Sequence, residues 1–354
     1  MARARLRDLG VGIGDLPTGE HNAITDVPGV RVGHATIIED EPRVVRTGVT
    51  VVAPRSGEVW YDYAFAGYHS FNGNGEMTGL LWLDESGMLG SAVGLTNTNQ
   101  VGVVRDAMVR HSVEIAAPGA FCLPVVAETW DGWLNDIDSF AVTEDHALTA
   151  VRTATAGPVA EGNVGGGTGM ICHEFKGGIG TSSRLVTTGG EVFTVAALVQ
   201  ANYGSREDLR IGGVPVGRRI GLDVVPAPWP EPRTTGSIIV VIATDAPLLP
   251  TQCRRVARRA TIGLGRTGGI GHNGSGDIFL AFSTANHLPA QPGGRRAVEM
   301  LPHAWLDPIF AATADVTEEA IVNALCAAET MTGRNGRTAH AIPLDALAEA
   351  LTGG

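Results

Sequence analysis

The sequence predicts a layered protein of mixed α and β structure, on three observations. Apolar runs of strand length are interspersed with capped helical stretches, without strict βαβ alternation. Glycine is abundant, at 48 residues, while charged residues make up only 18%, a pattern of tight turns and close backbone packing. Hydrophobic residues make up 44% of the 354-residue chain, enough to bury one large core or two ordinary ones. These features leave α/β and α+β layering both open.

The elements follow in order. Residues 1–35 are turn-rich, with a short strand expected at VRVGHATI and another at GVTVVAP near 48–54. SFNGNGEMTGLLWLDESG reads as an NGNG turn, an apolar strand and a second turn. SAVGLTNTNQVGVVRDAMVRHSV joins a strand to a helix through the polar loop Thr96, Asn97, Thr98, Asn99. FCLPVVAETWDGWLND begins as a strand and ends in a polar, aromatic loop, and TEDHALTAVRTA starts a helix with Thr143 as N-cap. Residues 162–184 form the densest glycine segment, and EVFTVAALVQANYG is an apolar strand ending in Gln200 and Asn202. PLLPTQCRRVARRATIGL reads as one helix carrying four arginines, and GSGDIFLAFSTAN as a strand. TEEAIVNALCAAETMTG reads as a helix with Thr317 as N-cap, acidic residues in its first turn and Gly333 at its end.

The sharpest feature is a change of texture at 236–237. A Pro-rich connector, GLDVVPAPWPEPRTT, runs over 221–235; Gly236 and Ser237 follow, and then IIVVIATDAPLLP. The β-branched run marks a buried strand, with Ser237 as its first residue. A serine there, behind a flexible glycine and an exposed loop, is where a self-cleaving precursor would break. Cleavage would leave Ser237 with a free amine beside its hydroxyl, a nucleophile and a base in one residue.

Other patterns have simpler readings. A net charge of −11 argues against nucleic acid as the partner. No apolar run approaches the roughly 18 residues that span a bilayer, and the N-terminal stretch lacks the apolar core of a signal peptide. Cys122, Cys172, Cys253 and Cys326 form no CxxC pair, so reduced thiols in a cytoplasmic protein are expected. GLGRTG at 263–268 fits GxGxxG but follows a helix with no βαβ frame, so a loop is expected there instead of a dinucleotide site. GNVGGGTG lacks the lysine of a P-loop and reads as a compact turn or as the backbone wall of a pocket. Arg254, Arg255, Arg258 and Arg259 fit a solvated helix face or a subunit contact. His173 beside Glu174, and His272 near Asp277, are weak metal-ligand candidates; no HExxH is present, and no metal or organic cofactor is expected.

Several ordered blocks together resemble the L-aminopeptidase/D-Ala-esterase-amidase and β-aminopeptidase family of self-processing, N-terminal-serine hydrolases. They include NAITDVPGVRVGH, FNGNGEMTG, VVAETWDGWLND, EGNVGGGTGM, FKGGIGTSSR, LVQANYG, GSIIVVIATDAPLLP, NGSGDIFLAFSTAN and TEEAIVNAL, and cover nearly the whole chain. The resemblance implies a single αββα sandwich, residues 1–354, self-cleaved between Gly236 and Ser237 into associated fragments 1–236 and 237–354. It implies Ser237 as nucleophile, Asn202 as oxyanion donor, and Ser275 and Asp277 as hydrogen-bonding partners around the nucleophile. Glu128 would pair with the substrate ammonium. The residue two positions on is a tyrosine in relatives, where its phenol helps hold the oxyanion; here it is Trp130, whose indole donates but cannot accept. Substrates would be small peptides, amino-acid amides or esters, and the protein a homo-oligomer, a tetramer by resemblance. Two alternatives are an acyltransferase like ornithine acetyltransferase, which uses threonine where this chain has serine, and a non-catalytic binding protein of the same fold.

Overall fold

Runs of valine and isoleucine become strands because branched side chains suit a pleated, buried surface. The computed structural model describes residues 3–115, 121–231, 235–291 and 293–352; the end of the Pro-rich connector, 232–234, lies outside them. The first six strands are β1 (Arg31–Glu39), β2 (Val45–Ala53), β3 (Asp62–Gly73), β4 (Met88–Leu89), β5 (Val93–Asn97) and β6 (Val125–Thr129). A short hairpin, β7 (Ile171–Cys172) and β8 (Phe175–Lys176), precedes β9 (Gly178–Thr188), β10 (Glu191–Asn202), β11 (Thr235–Thr244) and β12 (Gly274–Pro289). A second small hairpin pairs β13 (Met331–Thr332) with β14 (Thr338–Ala339). The helices are α1 (Leu80–Ser86), α2 (Val101–Glu114), α3 (Glu144–Arg152), α4 (Val216–Arg219), α5 (Pro250–Ala257), α6 (Ala260–Arg266), α7 (Asp307–Ala327) and α8 (Leu344–Thr352).

Two sheets stack face to face. One has the order β1-β2-β5-β6, the other β4-β3-β12-β11-β10-β9. Val93, Leu95 and Val125 of the first meet Leu198, Ile239, Val241 and Leu280 of the second in a shared core. The outer face of the four-stranded sheet is covered by α2 and α3. The outer face of the six-stranded sheet is covered by α5 and α7, with α6 packed on α7. The order through the molecule is therefore helices, sheet, sheet, helices.

β11 lies inside the six-stranded sheet and is buried on both faces. Ile238, Val240 and Ile242 point to the helices; Ile239, Val241 and Ala243 point to the facing sheet. Strand alternation then aims Ser237 into the gap between the sheets. The same parity on β10 sends Gln200 and Asn202 there. Gln200 Nε2 crosses to the other sheet, donating to the Thr96 carbonyl and the Thr129 hydroxyl, both at 2.9 Å. β11 and β12 are parallel neighbours, and α5 and α6 supply the crossover that parallel pairing requires.

Several expectations need correcting. β11 begins at Thr235, so Ser237 is its third residue. LLWLDES is helix α1, not a strand: Gly79 and Gly87 close its two ends in left-handed conformation, at φ 74° and 69°. The arginine-rich stretch is two helices with a turn at Arg258–Arg259, and GLGRTG lies largely within the second. Its arginines are not simply solvated. Arg255 and Arg259 stack over Phe310, at 5.1 and 4.1 Å, and Arg254 pairs with Asp84. Finally, α7 begins at Asp307, so Thr317 is in mid-helix and its hydroxyl bonds back to the Thr313 carbonyl at 2.8 Å. Glu318 and Glu319, which resemble first-turn acids, are buried; Glu319 pairs with Arg184 and Arg7.

Thr143 precedes α3 as expected, in a reciprocal box with His146. The four cysteines are unpaired. Among the described residues no helix is long and apolar enough to cross a membrane.

Candidate active site

Strand register assembles the site. In the antiparallel pair β10–β11, Asn202 stands directly opposite Ser237; in the parallel pair β11–β12, Ser237 stands opposite Gly276. These strand ends close one side of a cleft of about 670 Å³. The four-stranded sheet supplies the other side through Thr98 and Glu128, and Trp130, Trp133 and Trp229 form an aromatic wall.

Ser237 is 6% exposed. Its Oγ accepts from the Gly276 N–H at 3.1 Å and donates to the Gly236 carbonyl oxygen at 2.7 Å. The hydroxyl therefore lies against the carbonyl of the peptide bond that precedes it. Gly236 is not in the left-handed region, so backbone strain is not the reason for a glycine there. The reason is space: a Cβ would lie 2.6 Å from both the Asn202 carbonyl oxygen and Tyr203 Cα. Gly236→Ala should push β11 away from β10 and cost about 1–3 kcal/mol, as overpacking does. A urea midpoint indistinguishable from wild type would contradict this.

Asn202 is fixed at both ends of its amide. Oδ1 accepts from the Ile171 N–H at 2.8 Å, and Nδ2 donates to the Trp130 carbonyl at 2.9 Å. An amide nitrogen carries two donors, so one N–H remains for a ligand. The indole of Trp130 is 43% exposed and lies over Gly132, where a Cβ would come within 2.5 Å of the ring.

Glu128 is 3% exposed. One carboxylate oxygen accepts from the Glu76 N–H at 3.0 Å and the other from the Thr98 hydroxyl. Among the described residues it forms no ion pair, although it lines the cleft. Burial raises its pKa above the usual carboxylate range, against the pull of these two hydrogen bonds. A buried carboxylate without a cation is costly to keep charged, and hydrogen bonds or a bound cation offset that cost.

Ser275 and Asp277 share the parity of Phe279 and Ala281 on β12, whose side chains face the helices. Neither lines the cleft. The Ser275 hydroxyl donates to Asp277 Oδ1 at 2.7 Å, and Asp277 also accepts from the Ile238 N–H, next to Ser237. Burial pushes Asp277 up to about 6. This pair therefore stands behind the Ser237 main chain, outside the substrate space.

Sequence reasoning assigned no role to Thr98, Glu76, Ile171, Gly276, Trp133 or Trp229. Only the last two carried a signal, as large aromatics in polar or Pro-rich loops. Trp133 Nε1 donates to the Pro228 carbonyl at 3.1 Å, and the Trp133 and Trp229 rings meet edge to face at 5.9 Å. The glycine segment proves to be both things expected of it. Gly165–Gly167 is a buried 3-10 turn, and Gly169 lines the cleft. His173 is buried against Tyr203, with Nδ1 at 2.9 Å from the Ser205 carbonyl. Among the described residues no group of three or more His, Cys, Asp or Glu side chains gathers around a common point.

Comparison with known proteins bears on this geometry. The profile of peptidase family S58 matches residues 22–339. The chain belongs to peptidase family S58. It is a serine aminopeptidase, as the resemblance read from its sequence implied. The family includes the β-peptidyl aminopeptidase BapA of Sphingosinicella microcystinivorans, 50% identical over 360 residues, which cover 96% of this chain and 89% of that one. Among solved structures, a Burkholderia sp. β-aminopeptidase superposes with a TM-score of 0.93 at 50% identity, over 98% of both chains. The L-aminopeptidase D-Ala-esterase/amidase of Ochrobactrum anthropi gives 0.90 at 46% identity, again over 98% of both, and is described as a variant of the Ntn hydrolase fold. This S58 chain thus shares both sequence and fold with that group.

Proposed function

We propose that this S58 aminopeptidase is made by its own cleavage at Gly236–Ser237 and then releases N-terminal residues through an acyl-enzyme on Ser237. The contact of Ser237 Oγ with the Gly236 carbonyl carries the reading. In processing, Oγ attacks the Gly236 carbonyl carbon and the C–N bond breaks, leaving an ester on Oγ and an amine on Ser237. Water then hydrolyses the ester, leaving a carboxylate on Gly236. An α-amine with a pKa of about 7.7–8.0 is substantially neutral near pH 8 and takes the proton of its own hydroxyl.

In turnover, Oγ attacks the substrate carbonyl, the leaving amine takes the proton, and water clears the acyl group. The free N–H of Asn202 faces the developing oxyanion, a contribution of roughly 3 kcal/mol when preorganised. Glu128 holds the substrate ammonium. Ser275 and Asp277 stand beside the new α-amine and steady its proton. Trp130 shapes the cleft through its ring and orients Asn202 through its carbonyl.

Fragments 1–236 and 237–354 stay together in the αββα sandwich. Ile238–Ala243 are all fully buried, and each large side chain among them contributes about 1.5–3 kcal/mol. Substrates are small peptides, amides or esters with a free amine, β-amino residues included, in keeping with the activity named for the BapA relatives. The working form is a homo-oligomer. Intact-mass measurement of active protein should find two chains that divide after Gly236. An active preparation made only of unbroken chain would sink the proposal.

A further inference from the structure

We propose that Lys176 is a positioning residue for hydrolysis: its ammonium holds the 167–171 backbone so that Ile171 fixes the Asn202 amide. This rests on the oxyanion role given to Asn202 above. Lys176 ends β8 and is fully buried. Its Nζ donates to the carbonyls of Met170 and Gly177, both at 2.8 Å, and of Gly167 at 3.3 Å. That uses all three donors of an ammonium. Gly177 N–H returns a bond to the Met170 carbonyl at 2.9 Å, and Lys176 N–H bonds the His340 carbonyl at 2.7 Å, so the lysine is itself anchored.

The segment it grips runs from the Gly165–Gly167 turn along the cleft wall to Ile171. Three consecutive glycines give the turn little side-chain anchorage of its own. Its far end is where the chemistry is decided. Ile171 N–H bonds Asn202 Oδ1 at 2.8 Å. An amide held by its oxygen must present its nitrogen the other way, with one N–H on the Trp130 carbonyl and the other left for a ligand, on a residue that stands opposite Ser237. If the ammonium is removed, three buried carbonyls each lose a donor, and those of Gly167 and Met170 are left with the N–H groups of Met170 and Gly177. The backbone that aims Asn202 is then free to shift. Burial pulls Lys176 down to about 7, against the attraction of the nearby Asp131 carboxylate, which burial itself pushes up to about 7. The grip on the segment is carried by the three bonds from Nζ to backbone carbonyls.

The test is a double-mutant cycle of Lys176→Met with Asn202→Ala, read as kcat and KM per cleaved chain. Where cleavage is too slow for turnover to be read, the same cycle is read on the rate of cleavage. Lys176→Met alone should lower kcat about 10-fold or more and leave KM within about 2-fold, because Glu128 still binds the ammonium. In the Asn202→Ala background the same change should alter kcat by less than about 2-fold. Losses that multiply, or a loss confined to KM, overturn the proposal. If Lys176→Met does not fold, Lys176→Arg takes its place in the cycle. If neither folds, the role is structural and the proposal fails. Wild-type kcat in Asn202→Ala alone would instead refute the oxyanion reading.

Discussion

Ser237→Ala should leave one full-length band on a denaturing gel and reduce hydrolysis of aminoacyl p-nitroanilides by at least about 10⁴-fold, as loss of a nucleophile does. The change removes one oxygen and two hydrogen bonds, at a net stability cost of about 1–3 kcal/mol. The strand itself is held by the Ile and Val residues that follow, so the variant should fold. Of the groups that contact Ser237 or stand opposite it in the neighbouring strands, the Gly276 N–H is only a donor, and Asn202 is held by two hydrogen bonds. A variant that still divides after Gly236 would remove Ser237 from the mechanism.

Glu128→Gln should separate processing from turnover. Processing attacks an internal carbonyl and involves no ammonium, so cleavage should proceed. Turnover should lose the partner of the substrate amine, and KM should rise about 100-fold or more, the scale of breaking a buried charge pair. The wild-type enzyme should show the same effect with pH. Burial raises the Glu128 pKa, so its negative charge is lost at a higher pH than for an ordinary carboxylate. As pH falls through that raised value, KM should climb while kcat changes less, and in Glu128→Gln this dependence should disappear. A flat wild-type KM over that range, or a variant with wild-type KM, would refute the ammonium role.

The residues that line the cleft were unequally legible. Ser237 stood out because a glycine and a β-branched run meet there, and both are local backbone signals. The burial of Glu128 was not legible, because the groups that cover it, Thr98 and Glu76, come from separate loops 30 and 52 residues away. The start of α7 was misread for a related reason. Thr-Glu-Glu looks like a capped first turn, but Glu319 answers Arg184 and Arg7, 135 and 312 residues distant. Gly236 was read as a flexible glycine, whereas it is needed for the close approach of β10 and β11. Lys176 gave no signal in a glycine-rich stretch, since its partners are backbone carbonyls rather than side chains.

The amino-acid sequence alone singled out Ser237, the connector ahead of it, the main strands and the family. These depend on neighbouring residues: periodicity, turn chemistry and ordered blocks. The tertiary structure alone decided which side chains share a cleft, placing Asn202 opposite Ser237, Glu128 across the gap, and Asp277 behind the strand. The physical reason is register. A shift of one residue in strand pairing sends each side chain to the other face, and that choice is made by the packing of both sheets together.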